Sequence, residues 1–226
     1  MTDITQLSVV EQFFFYMNEN GSYIFSQFVS HFLLSIYGVL LASVVGIPIG
    51  IYISKFPRFT GPITTLANII QTIPTLALMA MIMLVLGLGK TTVIVTVFFY
   101  SLLPIIKNTH VGITTINRSL TDAGRGMGMT KLQVLYMIEL PLSISVIITG
   151  IRIALVVAIG IVAIGAFIGA GGLGDIIIRG TNATNGTAII LAGAIPTALM
   201  AILADILLLW LERRLDPTKR KKLRTV

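Results

Sequence analysis

Five tracts free of Asp, Glu, Lys and Arg, at residues 21–54, 59–89, 91–106, 153–174 and 180–204, constrain this chain more than any other feature. A bilayer core about 30 Å thick takes roughly 20 helical residues to cross, and a helix pairs its own backbone groups where no water can. The tracts therefore predict an all-α, polytopic membrane protein with about five transmembrane helices, placed within 24–53, 62–88, 91–107, 143–168 and 187–211. Gly46, Pro48 and Gly50 in the first span, and Pro62 and Pro74 in the second, predict bends. Only 11% of the 226 residues are charged, against 55% hydrophobic, with a mean hydropathy of +0.95; a soluble enzyme and a disordered module are excluded. Cysteine is absent, which removes thiol catalysis, Cys-ligated metals and disulfides. His31 and His110 lack metal-ligand spacing and receive no role.

The distribution of charge sets an expected orientation. Asp3, Glu11 and Glu19 are the only charges before Lys55, while seven of the residues 213–226 are Lys or Arg. Lys55 and Arg58 follow the first span, and Lys107, Arg118, Arg125 and Lys131 follow the third; the opposite side would carry only Lys90 and Arg179. The positive-inside rule then places the chain in the cell membrane with residues 1–23 outside and the basic tail 212–226 in the cytoplasm. A basic tail that directly follows an apolar span reads as cytoplasmic retention, so nucleic acid is not an expected partner; the bilayer is. The acidic start and the long first apolar stretch predict a first span that is kept rather than cleaved. Splitting 59–89 into two spans would invert the parity, but neither half reaches a comfortable spanning length.

Between Lys107 and Pro141 runs a segment far longer than the 2–8 residues usual between bundle helices. It contains Asp122-Ala123-Gly124, then Gly128, then Ile138-Glu139-Leu140-Pro141. Thr121 is expected to cap a short surface helix that Gly128 ends in a left-handed turn, and an amphipathic stretch at Leu132, Leu135 and Tyr136 leads to Pro141 at the start of the fourth span. This segment resembles the cytoplasmic signature of the transmembrane subunits of type I binding-protein-dependent ABC importers: Glu-Ala-Ala, three residues, Gly, nine residues, Ile-x-Leu-Pro. Every spacing is kept, with Asp122 in place of Glu and Gly124 in place of the second Ala. The resemblance implies a MetI-like transmembrane domain over 24–211, with a coupling helix in the loop 108–141 that docks on a separate ATPase subunit. Asp122 would be the acidic contact, Ala123 and Gly124 the close-packing positions, Gly128 the turn, and Ile138, Leu140 and Pro141 the anchor to the fourth span. An Asp near a helix N-terminus is also favoured by the helix dipole alone.

Three further runs narrow the resemblance: Gln71-Thr72-Ile73-Pro74-Thr75-Leu76-Ala77-Leu78, Leu102-Leu103-Pro104-Ile105-Ile106-Lys107-Asn108-Thr109, and Ala166-Phe167-Ile168-Gly169-Ala170-Gly171-Gly172-Leu173-Gly174. They are similar to permeases for glycine betaine, carnitine, choline and proline betaine, and the glycine run is shared with methionine-type importers. The implied function is a permease subunit for osmoprotectants; the alternatives are a methionine or other amino-acid importer permease, or an ion-coupled carrier. Implied partners are an ATP-binding subunit, a second permease copy or sister permease, and an extracytoplasmic substrate-binding protein. ATP and Mg would be bound by the ATPase, with no cofactor, metal or catalytic residue in this chain. Gln71, Pro74, Tyr100, Arg152, Gly171, Gly172 and Asp205 are the candidates for pathway or gate.

Two motifs mimic other chemistry. Gly169, Gly171 and Gly174 fit G-x-G-x-x-G but lack a preceding strand and a following acidic residue, so a turn or re-entrant segment is expected, with Asp175 and Arg179 paired at i,i+4. Gly89-Lys90-Thr91 mimics the end of a P-loop, but Leu84 stands where its first Gly is required. Arg152 and Asp205 lie at similar depth in the fourth and fifth spans and either pair with each other, face the pathway, or snorkel to the interface.

Overall fold

A computed structural model describes residues 8–184 and 186–216; the expectations placed on 1–7 and on the basic residues 219–224 lie outside them. The described residues form helices joined by short turns: α1 (Val9–Glu19), α2 (Gly21–Lys55), α3 (Thr60–Thr72), α4 (Thr75–Leu86), α5 (Lys90–Thr114), α6 (Arg118–Gly126), α7 (Lys131–Val134), α8 (Leu140–Gly165), α9 (Leu173–Thr181) and α10 (Thr187–Leu215). Ser8 and Glu11 form a reciprocal capping box at the start of α1, and the Ser8 N–H and hydroxyl, both donating to the Glu11 carboxylate at 2.8 Å, hold it below the usual range. At 1.5 Å per residue, α2 is about 52 Å long and α10 about 44 Å, each more than a bilayer core needs.

Four helical stretches, Gly21–Lys55, Lys90–Thr114, Lys131–Ile168 and Thr187–Leu215, are long and apolar enough to cross a membrane, and the pair Pro57–Thr72 and Thr75–Leu86 supplies a fifth candidate as a broken span. The tract 59–89 is therefore not one helix. The chain bends by 96° at its centre, because Pro74 has no N–H to donate and its ring disfavours helical backbone at Ile73. Pro62 makes no such break: it falls in the first turn of α3, where an N–H has no helical acceptor anyway. Pro48 lies inside an uninterrupted α2.

The chain divides into two compact units. Among the described residues, one comprises 8–40, Ile73–Phe98 and Leu155–Leu203, the other Leu41–Thr72, Phe99–Ala154 and 204–216. The first has a core that includes Met79, Val93, Val97, Ile159, Leu173 and Ile176. Its helices approach closely at small residues: a Cβ on Gly38 would sit 2.3 Å from Val97 Cγ1, and one on Gly174 would sit 2.1 Å from the Ala163 carbonyl oxygen. The second packs Ile53, Ile105, Ile106 and Val134, with Gly50 against Thr109 and Gly150 against Asn108 and the Pro104 carbonyl. Small residues at helix contacts are how membrane helices gain dispersion contacts without a hydrophobic drive between them. Val44, Leu84, Val85, Leu203 and Leu207 stay exposed, as lipid-facing or partner-facing side chains must. Trp210 carries the Arg214 guanidinium 4.4 Å above its ring.

Candidate functional site

The segment between α5 and α8 is built from three successive caps. Asn117, not Thr121, begins α6: its Oδ1 accepts from the Ser119 N–H at 3.0 Å. Thr121 lies one turn inside and its hydroxyl donates to the Arg118 carbonyl. The reason is backbone geometry, since Asn117 has the extended conformation an N-cap requires. At the other end Gly128 takes φ +84°, its N–H donates to the Arg125 carbonyl at 2.9 Å, and the Met129 N–H donates to the Gly124 carbonyl at 3.1 Å. This is a Schellman motif, and only glycine enters its left-handed position without steric cost. Thr130 and Gln133 then form a reciprocal capping box that starts α7.

Between α7 and α8 lies a single π-helical turn, Leu135–Glu139, closed by the Leu140 N–H donating to the Leu135 carbonyl. Pro141 explains it: in a regular α-helix the proline would leave the Met137 carbonyl without a donor and press its ring against it, and a wider turn relieves both. The helical path thus continues from Lys131 to Ile168 through Pro141.

Packing sorts the motif residues into two faces. Gly124 is buried, and a Cβ there would lie 2.7 Å from Ile138 Cδ1 and 3.1 Å from Met129 Sδ. Glycine in place of the pattern's second Ala therefore lets α6 rest on Ile138. Asp122 and Ala123 are exposed, and Asp122 makes only a long ion pair to Arg125 at 3.9 Å, of the exposed kind that contributes little. Leu120, Leu132, Tyr136, Met137 and Met127, the last 77% exposed, add an uncovered apolar surface to the same segment. Ile138 and Leu140 are half-buried and Pro141 is exposed. Glu139, the free position of the Ile-x-Leu-Pro run, is buried at 5% exposure and in direct contact with the Lys55 ammonium.

The glycine run forms a 3-10 turn, Ala166–Ile168, followed by a left-handed stretch with φ +76° at Gly171 and +81° at Gly172. Gln27 and His31, one turn apart on α2, cap the helix that follows. Gln27 Oε1 accepts from the Gly172 N–H at 2.6 Å, and His31 Nδ1 accepts from the Leu173 N–H at 3.2 Å. His31 is fully buried, and its Nε2–H donates to the Ile159 carbonyl at 2.9 Å. Asp175 and Arg179 pair at 2.9 Å; Tyr23 donates its hydroxyl to Asp175 at 2.7 Å and lies beneath the Arg179 guanidinium.

The remaining candidates fall into two groups. Gln71, one turn before the break at Pro74, donates its amide to the Tyr100 carbonyl at 2.8 Å, and Tyr100 is buried. Arg152 reaches Asp205 at 3.5 Å and also Glu212 at 3.6 Å, a second carboxylate that sequence reasoning left unassigned. Among the described residues, no group of three or more His, Asp or Glu is placed to hold a metal ion.

Residues 42–217 match the family described as binding-protein-dependent transport system inner membrane component. The chain is 59% identical over 216 residues to the glycine betaine/carnitine/choline transport system permease protein OpuCD of Bacillus subtilis (strain 168), covering 96% of this chain and 94% of that protein. It is 58% identical over 216 residues to the carnitine transport permease protein OpuCD of Listeria monocytogenes serotype 1/2a (strain 10403S), covering 96% and 97%. Among solved structures, the inward-facing MetNI methionine ABC transporter matches with a TM-score of 0.76 at 21% identity, over 85% of this chain and 95% of that one. At that identity the likeness is one of fold.

Proposed function

The chain belongs to the inner membrane components of binding-protein-dependent transport systems, and on that footing we propose that it forms the membrane pathway of an ATP-driven importer of small quaternary amines such as glycine betaine, carnitine or choline. The substrate class is supported by the near-full-length similarity to permeases whose names carry those substrates. Within a translocation domain of about 24–211, the loop 108–141 carries the coupling segment, narrowed here to 117–141 because α5 runs on to Thr114. The observation that carries this reading is the division of α6 into a face locked on Ile138 through Gly124 and a face that leaves Asp122, Ala123 and Met127 uncovered. A separate ATPase, which binds ATP and Mg, docks on the uncovered face. A second permease subunit completes the pathway, and a substrate-binding protein delivers from outside. The basic connections after α2 and α5 support a cytoplasmic coupling segment and an external N-terminus.

Closure of the ATPase moves α6 and, through the continuous helix that begins at Lys131, the span α8. Gln71, Pro74 and Tyr100 line the pathway at the broken span, Arg152 and Asp205 stand on α8 and α10, and the turn at Gly171 and Gly172 gates the outer end. A weak site in the membrane suits release, while the tight site belongs to the binding protein.

The test is uptake of labelled glycine betaine, carnitine, choline and methionine in cells lacking other osmolyte transport, with this chain co-expressed with its genomic neighbours. A quaternary amine is expected to enter in an ATP-dependent manner, and Gly128→Trp is expected to abolish uptake while the complex still assembles. Methionine uptake alone would move the substrate; uptake indifferent to Gly128→Trp and to ATP depletion would overturn the mechanism.

A further inference from the structure

Glu139 occupies the free position of the Ile-x-Leu-Pro run, yet it is the charged residue most deeply buried among the described residues. An ionised carboxylate at such depth persists only when paired, and its partner is Lys55, 84 residues earlier. Lys55 is the last residue of α2. Ser54 beside it lies 3.1 Å from His110 Nδ1 on α5. On the other side, Ile138, the neighbour of Glu139, is the residue on which Gly124 of α6 rests. A line of contacts thus runs from α6 through Ile138 and Glu139 to Lys55 and the end of α2, distinct from the covalent path into α8.

We propose that Lys55 and Glu139 form a transmission link that carries displacement of the coupling segment to α2. This rests on the reading of 117–141 as the ATPase-coupling segment. The physical need is clear from the covalent connections: they reach only α5 and α8, the helices on either side of the segment, whereas opening a pathway requires spans such as α2 to move together with these or against them. The contact sits on the π turn, where Pro141 removes an N–H. A charge pair held there lets the turn drive α2, a helix to which the segment is not directly joined along the chain. Lys55 and Glu139 act as positioning residues; neither needs to touch substrate.

The experiment uses the whole complex reconstituted in liposomes, with uptake and ATP hydrolysis measured together. The variants are Glu139→Gln, Lys55→Met, Lys55→Arg, and the exchange Lys55→Glu with Glu139→Lys. Assembly is followed by co-purification of the ATPase. The two neutralising variants are expected to assemble yet to lose about fivefold or more of the substrate moved per ATP hydrolysed. Lys55→Arg is expected to keep the wild-type ratio, and the exchange to recover most of it. A purely structural pair would lower the yield of assembled complex and leave the ratio unchanged in what assembles, which overturns the proposal. Neutralised variants that the exchange does not rescue overturn it as well. Failure of the coupling-segment reading is distinct, because it shows in the wild type as uptake that ignores ATP.

Discussion

At Gly124 two effects of substitution oppose each other. Alanine would gain about 1 kcal/mol of helix propensity but would press a Cβ on the end of Ile138, which is a movable methyl group. Gly124→Ala is therefore expected to change stability by less than about 1 kcal/mol, whereas Gly124→Leu overpacks the contact and costs about 1–3 kcal/mol. Thermal unfolding of the two variants in detergent checks the order. Gly128 was legible from spacing alone, because the left-handed position of a Schellman turn favours glycine whatever surrounds it. His31 was not legible: its partners Ile159 and Leu173 lie 128 and 142 residues away, and a lone histidine in an apolar run gives no local sign of the amide it caps. Glu139 and Lys55 were hidden in the same way, one at a variable motif position and the other among ordinary loop cations.

The helices show where local chemistry decides and where it does not. The π turn depends on Pro141, so Pro141→Ala restores an N–H and is expected to let residues 135–139 relax to α-helix. Each residue turns an α-helix by about 100°, and a change of register before α8 would swing α7 away from Gly124. We expect Pro141→Ala to keep or raise thermal stability while it lowers ATP-coupled uptake, with hydrogen exchange across 134–141 reporting the new pairing. The apolar tract 59–89 was legible as membrane-embedded, and Pro74 marked its break; the 96° bend belongs to the folded chain. Thr121 against Asn117 as the cap of α6 shows the limit of composition, since both residue types cap helices and only the backbone path selects one.

For the whole molecule, the arrangement of charge within apolar helices carries the strongest test. Arg152 serves both Asp205 and Glu212, so Arg152→Ala leaves two like charges on α10 and is expected to destabilise more than Asp205→Ala. A double-mutant cycle between Arg152 and Asp205 is expected to show coupling of about 0.5–3 kcal/mol, read by thermal unfolding; zero coupling would mean that each side chain reaches the interface independently. Membrane residence, the number of candidate spans and the family were legible in the amino-acid order, because bilayer thickness imposes a minimum apolar length and the family signature is a set of local spacings. The choice of partners was not. Which carboxylate meets Arg152, that Gln27 and His31 hold the glycine turn, and that Glu139 is buried against Lys55 depend on residues brought together from distant parts of the chain. Only the packing of helices against one another decides such pairs, since the free energy of an ion pair or a capped amide is set by its distance and burial rather than by separation along the sequence.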